Sequence, residues 1–190
     1  MKTKTKKYYA MSDKIPLYRY DGTEPATLFQ RSHSMLITHT GNLLIDYTND
    51  CDNGEPFKGP LICDLDDEDE TGIFPTFFTS PGLIGTKQFY NDLLEIGIDN
   101  IEMHPVIIRD LKNEATIDNY LFLNILGRID CTKTLNDYEI GIYVNKVPEQ
   151  LNMFMIKEDP GYILVTEHVY MHLKAKYEDI FFEEIQQLEG

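Results

Sequence analysis

The stretch "CDLDDEDET" (63–71) sets Asp64, Asp66, Asp67, Glu68, Asp69 and Glu70 within seven positions. Crowded carboxylates are ligands for hard cations, and oxygens at positions one, three and five would open a calcium loop. Counted from Asp64, however, Asp69 stands where the sharp turn needs glycine, and Pro75 where the closing bidentate glutamate belongs. A second acidic loop, "NDCDNGEP" (49–56), carries Asp50, Asp52 and Glu55 around Gly54 but puts Cys51 at a ligand position. Neither is an EF-hand. Both read as solvated acidic loops whose use, if any, is to meet a positively charged partner.

Imidazoles and nucleophiles are weighed the same way. His168 and His172 lie four apart at helical spacing, where two rings could share one metal, but the intervening "VYM" lacks the glutamate of zinc hydrolases. They flank an apolar stripe and are expected at its half-exposed edge. His33, His39 and His104 are isolated, and His104 beside Pro105 in an apolar run reads as a core residue. There is no Gly-x-Ser-x-Gly and no phosphate-cradling glycine loop. Cys51, Cys63 and Cys131 are odd in number, form no Cys-x-x-Cys, and read as thiols of a reducing compartment. No catalytic residue, metal or cofactor is therefore expected. The enzymatic alternative is a hydrolase or transferase built from scattered carboxylates such as Glu55 and Asp64.

Charge narrows the partner. Thirty-two acidic against 17 basic residues give a net charge of −15 over 190 residues. That balance disfavours nucleic acid and anionic lipid and favours a basic partner. Lys2, Lys4, Lys6 and Lys7 precede no apolar run of signal-peptide length, and no stretch approaches the ~18 apolar residues of a membrane span. The expectation is a soluble, cytoplasmic protein.

The elements that must position these groups are mostly short strands. "SMLIT" and "LLIDY" flank a Gly-Asn turn at Gly41 and predict a hairpin, and "GPLICDL" (59–65) predicts a strand ending at the acidic run. Four later segments, 101–108, 120–126, 139–147 and 152–157, are rich in β-branched, aromatic or long apolar residues and read as strands. Two stretches show helical periodicity instead. Near 86–97, Thr86 sits at the N-cap, Phe89, Leu93 and Ile96 form the stripe, and Gly97 stops the helix. Near 166–177, Thr166 is the cap, with Val169, Leu173 and Tyr177 at intervals of four.

These two stretches align. Thr86 matches Thr166, Tyr90 matches Tyr170, Leu93 matches Leu173 and Asp99 matches Asp179, and a Pro-Gly corner precedes each helix, at 81–82 and 160–161. The pattern predicts two copies of a strand–helix–strand unit. The fold class expected is α+β with mainly antiparallel sheet. It forms a single domain of residues 1–190, with a β-rich part (1–75) and a duplicated part (76–190).

The segment "NYLFLNILGRIDC", with Tyr120, Leu121, Leu123, Asn124, Leu126, Asp130 and Cys131, resembles the mid-chain "YxLLNxLxxxDC" strand of immunity-protein family eleven of bacterial polymorphic-toxin systems. The C-terminal stretch resembles that family's ending through Phe154, Ile156, Ile163, Val165, Glu167, Leu173 and Phe181, with Thr166 where serine is commoner. The resemblance covers about the C-terminal two thirds of the chain. It implies a non-catalytic immunity protein that binds and neutralises a cytoplasm-acting toxin by stoichiometric occlusion, and it supplies no catalytic residues. An adaptor or chaperone for a secreted effector is the other binding alternative. The charged part of the docking surface is expected at Asp64 and 66–70, with Asp50, Asp52 and Glu55 secondary; the oligomeric state is left open.

Overall fold

A computed structural model describes residues 6–13, 36–38, 60–65, 72, 74–79, 82–136, 139–157 and 162–189. These residues form an α+β structure made mostly of sheet. Its strands are β1 (Tyr8–Asp13), β2 (Leu36–Thr38), β3 (Leu61–Leu65), β4 (Phe77–Phe78), β5 (Ile84–Thr86), β6 (Ile101–Asp110) and β7 (Ala115–Ile125), followed by β8 (Arg128–Ile129), β9 (Thr132–Asn136), β10 (Glu139–Tyr143), β11 (Met153–Ile156), β12 (Ile163–Thr166), β13 (Ile180–Glu184) and β14 (Gln186–Leu188). The helices are α1 (Lys87–Glu95) and α2 (Glu167–Lys176).

The strands make a six-stranded sheet ordered β2-β3-β6-β7-β5-β4, a five-stranded sheet ordered β13-β1-β12-β11-β8, and a three-stranded sheet ordered β14-β10-β9. All three are mixed. Antiparallel pairing predominates, but β3 runs parallel to β6, β11 to β8 and β10 to β14. The expected contiguous strand–helix–strand units are not formed, because the strands on either side of each helix do not pair with one another. β7 lies between β5 and β6, antiparallel to both, and β1 lies between β12 and β13, again antiparallel to both.

Both helices begin and end close to where periodicity puts them. The Thr86 hydroxyl accepts from the Phe89 N–H at 3.1 Å, a side-chain cap on an otherwise orphan donor. At the other end Gly97 has φ +80, and bonds from Gly97 N–H to Leu94 O and from Ile98 N–H to Leu93 O close a Schellman turn. Thr166 occupies the N-cap of α2 but makes no side-chain cap bond. Buried at the end of β12, its hydroxyl donates to Asn152 Oδ1 at 3.3 Å instead.

The helix stripes meet in one core. Phe89 and Leu93 of α1, Val169 and Leu173 of α2, and inward side chains of both larger sheets, such as Leu123 and Val165, form a single cluster. Phe89 stacks on Phe77 (5.2 Å between centroids) and meets Tyr177 edge-on (5.8 Å), so aromatic contacts join α1, β4 and the end of α2. A second cluster lies on the opposite face of the six-stranded sheet, around Cys63, Ile84, Ile108 and Phe122. A third lies between the five- and three-stranded sheets, around Tyr8, Phe154, Leu164 and Ile142.

Candidate functional site

Of the expected docking carboxylates, the described residues include Asp64 alone. Asp66, Asp67, Glu68, Asp69, Glu70, Asp50, Asp52 and Glu55 lie outside the described residues, as do His33, His39, Cys51 and the "LLIDY" half of the expected hairpin. Asp64 is near the end of β3, directly opposite Arg109 of β6, and is buried. The guanidinium grips its carboxylate through Nε at 2.6 Å and Nη2 at 3.0 Å. A bidentate pair of this kind uses the carboxylate's charge internally, so Asp64 anchors the start of the acidic run to the sheet instead of projecting its charge outward. The same pairing makes it a poor general base.

The segment just beyond the run is pinned between the two larger sheets. The Asp179 carboxylate accepts from the Thr76 N–H (2.5 Å) and hydroxyl (2.8 Å), and the Asp13 carboxylate accepts from the Thr79 N–H (3.3 Å) and hydroxyl (2.5 Å). Asp13 and Ile180 face each other across β1 and β13, so both clamps rise from one corner of the five-stranded sheet. Just before Thr76, Pro75 O accepts from the buried Tyr120 hydroxyl at 2.6 Å, and burial together with nearby Asp179 raises the tyrosine's phenol well above the ordinary value. Single aspartates and threonines so far apart in sequence carry no local signal, and sequence reasoning missed both clamps.

A polar cluster joins the helices. Asp92 of α1 is buried and accepts from the Tyr177 hydroxyl at 2.5 Å and Gln88 Nε2 at 2.9 Å, with Lys176 Nζ at 3.1 Å. Burial pushes the Asp92 carboxyl up, but the hydrogen bonds from Tyr177, Lys176 and Gln88 outweigh it and hold the group below the usual carboxylate range. Burial and the adjoining Asp92 carboxylate raise the Tyr177 phenol far above its ordinary value, so it acts as a fixed donor.

The remaining reactive side chains are placed as structural ones. Burial, with a contribution from Asp64, pushes the Cys63 thiol up to about 12, which keeps it un-ionised and unreactive at neutral pH. Cys131 is also buried. His168 is exposed and His172 half-buried, on either side of Val169. His104 is half-buried on β6, stacked on Phe122 at 6.0 Å with Nε2 3.8 Å from Glu102. Among the described residues no group of three or more His, Cys, Asp or Glu is placed to hold a metal ion, and no helix is long and apolar enough to cross a membrane.

Described residues line three surface depressions. One of about 380 Å³, lined by Phe74, Pro75, Thr76, Thr86, Ile117, Asn119 and Tyr120, holds no titratable group but the tyrosine already bonded to Pro75. A second, of about 200 Å³, lies over the outer face of the five-stranded sheet between Tyr162 and Phe181, with Ala10 and Ser12 as floor and Glu183 at its rim. A third, of about 90 Å³, adjoins it through Tyr162 and Glu183 and adds Leu135, Glu139 and Ile140. No protein-family model matches the chain, and no curated protein matches it.

Proposed function

We propose that this chain is a bacterial, cytoplasmic immunity protein that binds a basic toxin domain and neutralises it by stoichiometric occlusion. The observation that carries this reading is the acidic surplus, a net charge of −15 on a chain rich in sheet. Such a surface repels nucleic acid and accelerates encounter with a basic partner, while packed apolar contacts hold the complex. The resemblance to immunity-protein family eleven supports it at the level of scaffold. Most of the residues that carry it, including Tyr120, Leu123, Asn124, Cys131, Phe154, Ile163, Val165 and Leu173, are buried, while Leu126, Asp130 and Phe181 are exposed. The buried ones speak to how the domain is packed and not to the docking surface.

The same reading takes the two helical stretches as copies of one unit. In each, a short strand pairs antiparallel with the strand leading into the helix, β4 with β5 and β11 with β12. In each, the N–H of the threonine before the helix donates to a carbonyl of the preceding segment at 2.9 Å, Thr86 to Thr76 and Thr166 to Asn152. In each, one antiparallel strand separates the strands before and after the helix. These parallels support duplication, with β1 from the N-terminus serving the second copy as β7 serves the first.

The test is co-expression with the product of the neighbouring gene. If that product is a toxin domain, this chain should abolish its toxicity and co-purify with it in a fixed molar ratio. A toxin that kills equally well in the presence of abundant folded chain would overturn the proposal.

A further inference from the structure

We infer that the depression between Tyr162 and Phe181 is a receptor for a single arginine or lysine side chain presented by a protein partner. The inference rests on the binding role proposed above and names a place where that binding would be made.

The shape follows from strand alternation. Along β13, Ile180 and Phe182 face the helices, with Phe182 packed edge-on against Tyr170 at 5.1 Å, so Phe181 and Glu183 must face outward. Across β1 their partners are Ser12 and Ala10. Two small side chains between a tyrosine and a phenylalanine leave a trough where a larger pair would have filled the sheet surface. At about 200 Å³ it falls below the ~300–1,000 Å³ usual for small-molecule sites, and it suits one long side chain better than a substrate.

The chemistry selects a cation. Two aromatic rings wall the trough, Phe181 is 37% exposed, and the charged group lining it is the Glu183 carboxylate. Aromatic faces attract guanidinium and ammonium groups, and a carboxylate at the rim gives the charge a partner. The adjacent Glu184, on the opposite face, is bound to Lys7 at 2.7 Å, while Glu183 makes no ion pair with any described residue. The adjoining depression adds Glu139 and the apolar side chains of Leu135 and Ile140, so an apolar stem could run on beside the charged head. Arginine or lysine on a basic protein matches both the local carboxylates and the overall charge.

The test is an amide-resolved NMR titration of the full chain with acetyl-arginine-amide, and with acetyl-citrulline-amide as its neutral isostere. Saturable shifts should centre on Ala10, Ser12, Phe181 and Glu183 with the arginine probe and be absent with citrulline. Glu183→Gln and Phe181→Ala, both on exposed side chains, should each weaken the arginine probe about threefold or more, the loss expected of one exposed ion-pair or cation–π contact. The amide pattern itself reports whether each variant is folded. Equal shifts with citrulline, shifts scattered over the surface carboxylates, or affinities unmoved by both variants would overturn the inference. So would putrescine binding more tightly than the arginine probe, which would assign the trough to a free amine. The co-expression assay separates this failure from failure of the immunity reading. If both variants still protect fully against the toxin, the trough is not the docking point although the immunity role stands; if wild-type chain fails to protect while the probe still binds, the reverse holds.

Discussion

Replacing Tyr177 by phenylalanine isolates the polar junction between the helices. The ring remains available for its edge contact with Phe89, and what disappears is one hydrogen bond of 2.5 Å to a carboxylate only 6% exposed. Hydrogen bonds to charged groups contribute ~1.5–3 kcal/mol, and because Tyr177 is half-buried, water can reach the vacated acceptor, which places the expected cost near ~1.5 kcal/mol. Urea unfolding at pH 7 should show a lower midpoint with unchanged slope. The pH dependence is signed. The folded Asp92 carboxyl lies below its ordinary value, so its contribution is fully present above the unfolded value of ~3.9 and is lost as pH falls through the folded one. Removing a bond that lowers it should make the gap between wild type and variant widest above roughly pH 5 and smaller in acid. A cost under about 0.5 kcal/mol, or a gap that stays constant from neutral pH to pH 3, would refute the account of this junction.

Thr86→Ala should cost about 1 kcal/mol through the lost cap, and Thr86→Ser should restore most of it, as read from thermal or urea midpoints. At Thr166, which donates to Asn152 and caps nothing, aspartate should fail to stabilise the helix despite being a good capping residue; a gain in stability would show that the hydroxyl was misassigned. Gly85→Ala puts a Cβ 2.8 Å from Phe89 Cδ1 and 3.1 Å from a Leu123 methyl, and overpacking there should cost ~1–3 kcal/mol. Treatment with chelator should leave the melting temperature unchanged, since both acidic loops depart from the calcium-loop pattern; a fall reversed by calcium or zinc would contradict that reading.

What sequence revealed and what it missed divide along one physical line, local against non-local. Helical stripes and caps are written within a dozen residues, and both helices lie within two residues of their expected limits. The strands at 61–65, 101–110, 115–125 and 153–156 are likewise legible as apolar runs. β1 was not expected. "YYAMSD" follows a lysine-rich stretch, and it is a strand because it fills the gap between β12 and β13, some 150 and more residues away. Parallel pairing has no local signature either: antiparallel pairing predominates as expected, but the three parallel pairs that make the sheets mixed were not legible. At the candidate site, the carboxylate count was readable, but its environment was not. Asp64 is paired across strands with Arg109, 45 positions on, and the trough depends on Ala10 and Ser12 lying opposite Glu183 and Phe181.

The central claim, electrostatic capture of a basic toxin, is tested most directly by stopped-flow association of the cognate toxin as a function of salt. Between about 50 and 500 mM salt the association rate should fall steeply while dissociation changes little, because ions screen long-range attraction more than packed contacts. Changing Asp66, Asp67, Glu68, Asp69 and Glu70 together to asparagine or glutamine should slow association at low salt by about tenfold and flatten its salt dependence. An association rate indifferent to both salt and these substitutions would contradict the claim.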